Sequence, residues 1–336
     1  MKFEMLIKKA FFIFVFLITL KVHADESNII VLMYHRIDDN KYPSTSISQE
    51  LFEKHIQYLI EKNIKVLPIT ELSKYLKKEI RLPKKTVFIT IDDAYKSFFQ
   101  NGFPILRKNK LPFSIFVSSN YVSNAEESDF MSWSMLKEIS DNNGLILNHS
   151  KSHESLIGID NQKLKIEIEQ NQIEIEKNIG KQPKIFSYPF GESSKNIEEV
   201  IKNLNYEIAF SQHSAPIHLN QNKYRLPRYA LNDEFGSLKR FEMILKTKPL
   251  EIFQSSFDDS IIKTDKLNYS FLSKFPSKLI NCFINNSANL IKKNQGEKVD
   301  LYLSKLKSGQ RYRINCTYIN EKGEIFWFGK MIKRIN

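Results

Sequence analysis

The chain has 336 residues, of which 42% are hydrophobic and 26% charged, and its formal net charge is +12. This length exceeds the size of a usual single core, so we expect one large domain joined to a smaller one. Its lysines are scattered, and none of the predicted elements concentrates them. The positive charge therefore indicates solubility, with binding to an acidic surface as the weaker alternative, and it does not indicate a nucleic-acid partner.

The N-terminal segment has the layout of an export signal. Three lysines within the first nine residues flank the start of an apolar run over 10–20, which ends near the small residue Ala24. The run is too short to span a bilayer comfortably, so the pattern predicts a cleaved signal peptide over 1–24 and no stable membrane span afterwards. An uncleaved N-terminal anchor is the alternative. Both interpretations place the working protein outside the cytoplasm, in the periplasm or the extracellular space, where a nucleic-acid partner is not expected.

Strand and helix patterns alternate along the next part of the chain. Each strand pattern is a short β-branched or aromatic run, and each helix pattern repeats apolar residues at helical spacing. Strands that alternate with helices imply a parallel sheet, and this number of units favours a closed or nearly closed β/α barrel over an open doubly wound sheet. The predicted strands lie within 28–39, 64–69, 86–91, 113–117, 145–147, 185–188 and 207–211, and the predicted helices cover 46–63, 97–109, 134–142, 162–180, 196–204 and 234–246.

The hydrophobic period changes after the last predicted helix. Apolar and polar residues then alternate, with turn residues at 308–309 and 322–323. This pattern predicts a small antiparallel β module over 265–336, following a larger domain over 28–250.

The only two cysteines, Cys282 and Cys316, both lie in the predicted β module. Neither belongs to a CxxC pair, so in an oxidising compartment a disulfide between them is more plausible than a metal site.

Two adjacent carboxylates, Asp92 and Asp93, stand where a buried strand ends. A buried carboxylate without a partner is costly, so the pair is either a solvated turn or part of a cation site. His149 and His153 lie four residues apart after another predicted strand. Because the carboxyl ends of parallel strands meet at one edge of the sheet, we expect all four side chains to lie near one another.

A carboxylate and two imidazoles make a three-ligand site that leaves a zinc ion one open position for water, as a hydrolytic metal needs. Only one aspartate is then required as a ligand, and the other is free to act as a base. Neighbouring side chains of a strand point to opposite faces, so both acids reach one site only if the chain turns at Asp92 and Asp93.

These residues also carry a resemblance to a known family. Asp92 and Asp93 in TIDDAY are similar to the T-F-D-D-G-Y motif of polysaccharide deacetylases with the NodB homology domain, the family-four carbohydrate esterases. The segment from His149 to His153 is similar to the H-S/T-x-x-H motif of the same family.

Two further segments extend the resemblance. SYPFGE at 187–192 resembles the third family motif, and LMYHRI at 32–37 resembles the branch that includes the poly-N-acetylglucosamine deacetylases. Four motifs in family order are far more specific than one. The resemblance covers residues 28–245 and leaves the C-terminal β module outside it.

The resemblance implies a distorted (β/α) barrel of about seven strands, which removes N-acetyl or, less often, O-acetyl groups from a polysaccharide. It implies that Asp92 is the general base and that Asp93, His149 and His153 bind a divalent metal. Zinc is the expected ion, with cobalt, nickel and iron as alternatives. The expected partner is a cell-wall or extracellular glycan that contains N-acetylhexosamine.

The resemblance also implies roles for the backbone of Phe190 and for a catalytic acid. The Phe190 N–H would help to hold the tetrahedral oxyanion. His35 fits the acid that the poly-N-acetylglucosamine branch carries near its N-terminus. The usual late Leu-x-His acid motif is not clear in this chain, so His213 and His218 are alternative acids.

The chain departs from the family pattern at two positions close to the expected base. Ala94 replaces the glycine after the Asp pair, which is tolerated unless the backbone there needs a positive φ. Ser187 stands where the family usually has an arginine that orients the base, and Arg228 or Arg36 is expected to replace that arginine.

Two aromatic residues are candidates for contact with the substrate. Trp133 begins a predicted helix, and Tyr188 ends a predicted strand. Each either lines a sugar-binding groove or packs in the core.

The predicted function is therefore metal-dependent removal of N-acetyl groups from a polysaccharide outside the cytoplasm. One alternative is a glycan-binding protein on an inactive deacetylase scaffold, because Ser187 and the unclear acid leave the catalytic set incomplete. Another is a glycosidase, whose two acids flank a bond at a separation of about 5–10 Å. The adjacent Asp92 and Asp93 fit that spacing poorly, and the two histidines would have no role.

Overall fold

The computed structural model describes residues 28–124 and 128–336. The predicted signal peptide over 1–24 lies outside the described residues. Within the described part of the chain, no helix combines the length and the apolar character needed to cross a membrane.

A parallel sheet forms the centre of the N-terminal part. In chain order its strands and their short neighbours are β1 (Asn28–Tyr34), β2 (Arg36–Ile37), β3 (Ser46–Ile47), β4 (Lys65–Val66), β5 (Lys85–Asp92), β6 (Phe113–Val117), β7 (Gly144–Asn148), β8 (Ile185–Ser187), β9 (Ile208–Phe210) and β10 (Tyr229–Ala230). The sheet follows the order β10-β1-β5-β6-β7-β8-β9, β4 pairs with β5, and β2 pairs separately with β3.

The sheet curves into a distorted barrel. Its strand order rises along the chain without the reversal that defines an open doubly wound sheet. The two ends also approach each other, because Phe210 in β9 bridges Leu226, which lies just before β10. The predicted distorted (β/α) barrel with a C-terminal antiparallel module is confirmed, and the doubly wound alternative is excluded.

Helices connect the strands and pack apolar side chains against the sheet. Four of them begin at a side-chain cap that accepts a hydrogen bond from a backbone N–H, namely Ser132, Asp160, Ser194 and Ser237. The helices are α1 (Gln49–Glu61), α2 (Ile69–Leu76), α3 (Phe103–Lys108), α4 (Ser119–Ser123), α5 (Trp133–Ser140), α6 (Asn161–Ile179), α7 (Lys195–Asn203) and α8 (Leu238–Ile244).

Two predicted elements differ from the structure. The predicted strand over 64–69 is limited to β4, because Pro68 occupies the N-cap position of α2. The predicted helix over 97–109 opens with a π-helical segment, Phe98–Gly102, and becomes a regular α-helix only in α3. In both cases the apolar pattern is present, but a local backbone feature changes the type of element.

The C-terminal part consists of two small sheets that pack around an apolar core. One sheet has the order β12-β14-β17-β16, and the other has the order β11-β19-β18-β15, with β13 paired to β19. The disulfide expected from the sequence joins Cys282 to Cys316 across the β15–β18 pair. The strands are β11 (Lys248–Pro249), β12 (Ile252–Phe253), β13 (Ile261–Ile262), β14 (Leu267–Ser273), β15 (Asn281–Ile284), β16 (Asn289–Gln295), β17 (Lys298–Ser304), β18 (Arg311–Ile319) and β19 (Ile325–Arg334).

Strand β19 attaches this module directly to the barrel. The Trp327 ring meets the Tyr229 ring edge-to-face, with 5.6 Å between the centroids. Gly329 approaches the barrel so closely that a Cβ atom there would lie 2.2 Å from the carbonyl oxygen of Ser214. Only glycine allows this approach. The domain limits of 28–250 and 265–336 stay a prediction, but the two parts share a close interface.

Candidate active site

Residues from four strand ends meet at the carboxyl edge of the barrel sheet. His35 follows β1, Asp93 follows β5, His149 follows β7, and Phe190 lies in the short turn after β8. Sequence positions that are far apart converge here because all these strands are parallel. The site is therefore a product of the barrel topology.

Asp93, His149 and His153 form a group that fits a metal ion. The Asp93 Oδ1 atom lies 3.3 Å from His149 Nε2 and 3.1 Å from His153 Nε2, and the three ligand atoms all lie within 4.8 Å of one another. Oδ1 of Asp93 and Nε2 of His149 are buried without a hydrogen-bond partner among the described residues. Ligands held at about 2.0–2.2 Å in a tetrahedron are about 3.3–3.6 Å apart, so the spacing and the donor types suit a tetrahedral divalent cation.

Neighbouring groups fix the orientation of the ligand side chains. The His149 Nδ1–H donates to the carbonyl oxygen of Ser187 at 2.7 Å, so Nε2 carries the lone pair that faces the group. The His153 ring packs edge-to-face against the rings of His149 and Phe190, at centroid distances of 4.9 and 4.8 Å. Burial opposes ionisation of Asp93, but the two histidines outweigh it and hold the pKa of this carboxyl well below its ordinary value.

Several residues of the site adopt left-handed backbone angles. The φ angles are 73° at Asp93, 56° at Ala94, 64° at Ser150, 56° at His153 and 58° at Phe190. This conformation costs roughly 1–2 kcal/mol per residue that is not glycine. The turn at Asp93 and Ala94 is what directs both aspartates into one site, and Ala94 occupies a position where the resemblance expects glycine.

Asp92 is clamped by a buried arginine. The Arg228 guanidinium donates to both carboxylate oxygens of Asp92, each at 2.7 Å, and both side chains are fully buried. Arg228 also donates to the hydroxyl oxygen of Ser187 at 2.8 Å. Burial raises the pKa of Asp92, but the charges of Arg228 and His149 outweigh burial and lower it overall. Asp92 is therefore held ionised and oriented, with Oδ2 at 4.0 Å from His149 Nε2.

The other arginine considered from the sequence has a different environment. Arg36 pairs with Asp39, and its guanidinium stacks over the rings of Tyr42 and Tyr95 at 4.0 and 3.4 Å from the centroids. Of the two arginines, the structure places Arg228 on Asp92, whereas Arg36 lines a separate surface depression with Tyr42 and Tyr95.

His35 lies beside the metal-binding group. It lines a cleft of about 880 Å³ together with Asp93, His153 and Phe190. Burial lowers the pKa of His35, and the carboxylates of Asp93 and Asp92 partly oppose that shift. Among the sequence-predicted acids, His35 is the one that shares the cleft with the metal-binding group.

The alternative acids lie elsewhere. His213 and His218 line a separate cavity of about 270 Å³ between the barrel and the β module. His213 is buried, with 6% of its surface exposed. Gln212 lines the cleft, but the next residue, His213, lines the other cavity. This histidine therefore faces away from the metal-binding group.

Of the two aromatic candidates for substrate contact, Tyr188 is buried and Trp133 is half-buried. Tyr188 is fully buried, and its hydroxyl donates to the carbonyl oxygen of Tyr224 at 2.8 Å. Trp133 packs against the barrel core, and its indole N–H donates to Ser123 Oγ at 3.2 Å. Neither residue lines the cleft, so the structural placement favours packing over the predicted sugar contact for both.

The β module supplies one wall of the cleft, which the sequence reasoning missed. Asn285, Gln310, Arg311 and Arg313 line the cleft together with His35 and Phe190. The Arg311 guanidinium lies 5.0 Å from the centroid of the Phe190 ring, and Arg313 Nε donates to the Gln212 carbonyl oxygen at 2.8 Å. Arg311 and Arg313 at the start of β18 were the available signal for this wall. They lie far along the chain from the four motifs, so the sequence did not show that they approach the cleft.

The fold and site together define a β/α-barrel protein with a candidate metal centre and a clamped carboxylate at the strand ends. Residues 79–209 match the sequence profile of the family described as polysaccharide deacetylase. The chain is also 27% identical over 252 residues to the poly-beta-1,6-N-acetyl-D-glucosamine N-deacetylase of Staphylococcus aureus, covering 67% of this chain and 84% of that protein. The family profile and this relative both agree with the predicted resemblance to polysaccharide deacetylases and with the predicted enzyme class.

Solved structures support the same fold. The deacetylase PplD of Streptococcus pyogenes matches with a TM-score of 0.60 and 18% identity, covering 65% of this chain and 98% of that chain. IcaB from Ammonifex degensii matches with a TM-score of 0.56 and 22% identity, covering 65% of this chain and 96% of that chain. Matches at this identity show a shared barrel fold.

Proposed function

We propose that this protein is a metal-dependent deacetylase that removes N-acetyl groups from an N-acetylhexosamine polymer outside the cytoplasm. The observation that carries the proposal is the convergence of Asp93, His149 and His153 beside the ionised carboxylate of Asp92. The similarity to the Staphylococcus aureus enzyme supports poly-N-acetylglucosamine as the first substrate to test.

Asp93, His149 and His153 would hold the metal ion. One carboxylate and two imidazoles suit zinc, and cobalt, nickel and iron bind the same donor types. When bound, such an ion acts as a Lewis acid and makes water easier to deprotonate near neutral pH.

Asp92 would act as the general base. Its low pKa keeps it ionised and able to accept a proton from the attacking water. The bidentate contact with Arg228 fixes the direction of the carboxylate, so that proton transfer does not first require the side chain to reorient.

Phe190 would stabilise the attacked carbonyl, and His35 would protonate the leaving group. The backbone N–H of Phe190 would donate to the oxyanion that develops as the amide carbonyl is attacked. His35, on the same cleft, would donate a proton to the departing amine. These roles need substrate in the cleft with its acetyl group between the two residues.

The proposed compartment agrees with the covalent chemistry of the module. The Cys282–Cys316 disulfide is typical of proteins in oxidising compartments. With the export signal predicted over 1–24, it supports a location in the periplasm or the extracellular space.

The test is acetate release by the zinc- or cobalt-loaded mature protein, beside Asp92→Asn. Substrates should include β-1,6- and β-1,4-linked N-acetylglucosamine oligomers and peptidoglycan. We expect release from at least one N-acetylated glycan and a loss of at least about a hundredfold in kcat/KM for Asp92→Asn, because general-base catalysis contributes this much. Metal content measured on both proteins should be equal.

Asp141→Asn is the matched control, because Asp141 pairs with Lys137 on the surface of the barrel, outside the cleft. Its activity should equal that of the unmodified protein. Shortened glycan chains would identify a glycosidase, and release from O-acetylated substrates alone would identify an esterase. Bound metal without any acetate release would indicate a glycan-binding scaffold.

A further inference from the structure

The cavity of about 270 Å³ between the barrel and the β module is a second concave site, separate from the cleft. Its lining comes from the barrel segment that follows β9, from the residues around β12, and from β14 and β19 of the module. Lys330, His213 and Arg225 bring positive or protonatable nitrogen atoms to it, and Asp258 is the acidic residue in its lining.

Two side chains of this cavity have buried nitrogen atoms without hydrogen-bond partners. They are Nδ1 of His213 and Nε2 of Gln221, judged over the described residues. Proteins rarely leave buried polar atoms unpaired, so this pair in one cavity indicates that a ligand supplies the missing partners. The amide donor of Gln221 requires a ligand with acceptor oxygens.

Lys330 is a buried cation without a counterion. Only 7% of it is exposed, and none of the ion pairs or hydrogen bonds found in the described part of the chain involves its Nζ. Nζ instead lies 5.3 Å from the ring centroid of Phe257 and 5.6 Å from that of Tyr269. A buried ammonium group normally has an anionic partner, so this position favours a negatively charged ligand.

The nearby acids already have partners. Glu198 binds Arg225, with Nε to Oε1 at 2.5 Å. Asp258 pairs with the exposed Lys195 at 3.4 Å, and Asp259 accepts hydrogen bonds from the backbone N–H groups of Lys195 and Ser260. None of these three carboxylates therefore forms an ion pair with Lys330, and their charges act on it only at longer range.

We propose that the cavity binds a small sugar acid, with its carboxylate facing Lys330 and Gln221 and its ring against Trp327. The aromatic and proline side chains of the lining suit a sugar ring, since Trp327, Phe328, Pro216 and Pro227 all border the space. A neutral sugar would leave the ammonium group unpaired. The proposal is independent of the deacetylase reaction, because it concerns binding in a different cavity.

Calorimetric titration of the metal-loaded full chain tests the proposal, with glucuronate, acetate, inorganic phosphate and glucose as probes at pH 6 and constant ionic strength. We expect saturable binding of glucuronate and none of glucose. Lys330→Met should weaken glucuronate binding about tenfold or more, because a charge-assisted hydrogen bond is lost. This variant removes a buried charge, so thermal melting should show that it folds.

Lys322→Met is the control, since Lys322 is an exposed turn residue of the same module and should bind glucuronate normally. Gln221→Leu is a second cavity variant that removes an unpaired donor and should also weaken binding. No saturable glucuronate binding, or equal affinity in Lys330→Met, would overturn the proposal. Binding of phosphate or acetate in place of glucuronate would overturn the sugar acid as the ligand.

The affinity should also depend on pH in a defined direction. Burial and the charge of Arg225 lower the pKa of Lys330 to about 7, although Asp258, Asp259 and Glu198 oppose the shift. A bound carboxylate favours the ammonium form, so affinity should be constant below pH 7 and fall above it, by up to about tenfold per pH unit. His213 stays neutral in this range, because burial, Arg225, Lys330 and Arg313 lower its pKa to about 3.

Discussion

At the scale of single residues, this site differs from the family pattern in the position of the arginine that orients the base. Ser187 stands where the resemblance expects an arginine, and its hydroxyl instead accepts a hydrogen bond from Arg228. Arg228 enters from the segment before β10 and reaches the same carboxylate from another direction. Asp92 therefore keeps a bidentate arginine partner, although the third motif has Ser187 in place of the usual arginine.

Replacement of Arg228 by lysine should reduce catalysis and shift its pH dependence. Lysine cannot make the bidentate contact, so Asp92 would lose orientation and its pKa would rise. We expect kcat to fall by about tenfold or more and the acidic limb of the kcat/KM profile to move to higher pH. The profile should be measured alongside bound metal and the melting temperature.

Arg36→Lys is the matched control for this experiment. Arg36 contacts Asp39 and the rings of Tyr42 and Tyr95, without contacting Asp92. The acidic limb of the kcat/KM profile of Arg36→Lys should therefore stay at the same pH as in the unmodified protein. An unchanged limb in Arg228→Lys would show that the Arg228 contact does not set the ionisation of the base.

The metal-binding group was predictable from the sequence, whereas its backbone conformation was not. Asp93, His149 and His153 stand in short local motifs after strand patterns, so parallel-strand topology alone brings them together. The left-handed angle of Ala94, at 56°, contradicts the ordinary preference of alanine and is imposed by the surrounding fold. The burial of Tyr188 depends on the packing of later segments such as Tyr224, which its local sequence does not contain.

At the scale of elements, the contact between α1 and α8 contains a buried histidine. The His55 ring of α1 stacks on Phe241 of α8 with 4.0 Å between the centroids. Its two nitrogens meet the Tyr34 hydroxyl at 3.0 Å and the Gly236 carbonyl oxygen at 2.6 Å. Burial lowers the pKa of His55 to about 4, so the ring packs as a neutral group that joins the two helices to the barrel.

This histidine should make stability decrease in acid. Unfolded His55 binds a proton below its ordinary pKa of about 6.5, while folded His55 remains neutral until pH falls to about 4. The free energy of unfolding should therefore fall between these pH values, and His55 alone would account for about 3 kcal/mol. Urea titrations at several pH values would measure the effect.

His55→Phe should flatten this dependence, because phenylalanine preserves the ring stacking but does not titrate. The variant should be less stable at pH 7, since Tyr34 and Gly236 lose their partner. If the free energy of unfolding fell equally with pH in both proteins, His55 would not be the titrating group.

Most barrel elements were predictable because each has its own hydrophobic period. The strands β5, β6 and β7 are rich in β-branched and apolar residues and are buried along nearly their whole length, as expected for a buried parallel sheet. The helix α2 was missed because its two turns directly follow the strand-like run that contains β4, with Pro68 between them. A short apolar run does not reveal by itself where a strand ends and a helix begins.

At the scale of the whole molecule, the cleft is shared between the barrel and the β module. Arg311 packs over Phe190, and Lys333 pairs with Glu192 of the third motif at 2.7 Å. The predicted separation into domains follows the change of hydrophobic period, but that period contains no information about which surfaces meet. The arrangement implies that the module takes part in positioning the turn that carries Phe190.

Gly329→Ala tests whether this docking matters for catalysis. The added Cβ would lie 2.2 Å from the Ser214 carbonyl oxygen, so β19 or the segment at Ser214 must move. Because Gln212 and Ser214 both line the cleft, we expect kcat/KM to fall while metal binding is retained. The free energy of unfolding should decrease by about 1–3 kcal/mol, as for other overpacked positions.

Gly323→Ala separates docking from a general loss of stability. Gly323 lies in the β18–β19 turn with a φ of 74°, and a Cβ there meets nothing within 4 Å. Alanine should cost about 1–2 kcal/mol of local strain without moving β19 against the barrel, so kcat/KM should remain unchanged. If Gly329→Ala also kept full activity, the module would be a passive attachment, and the Phe190 turn would hold its position without it.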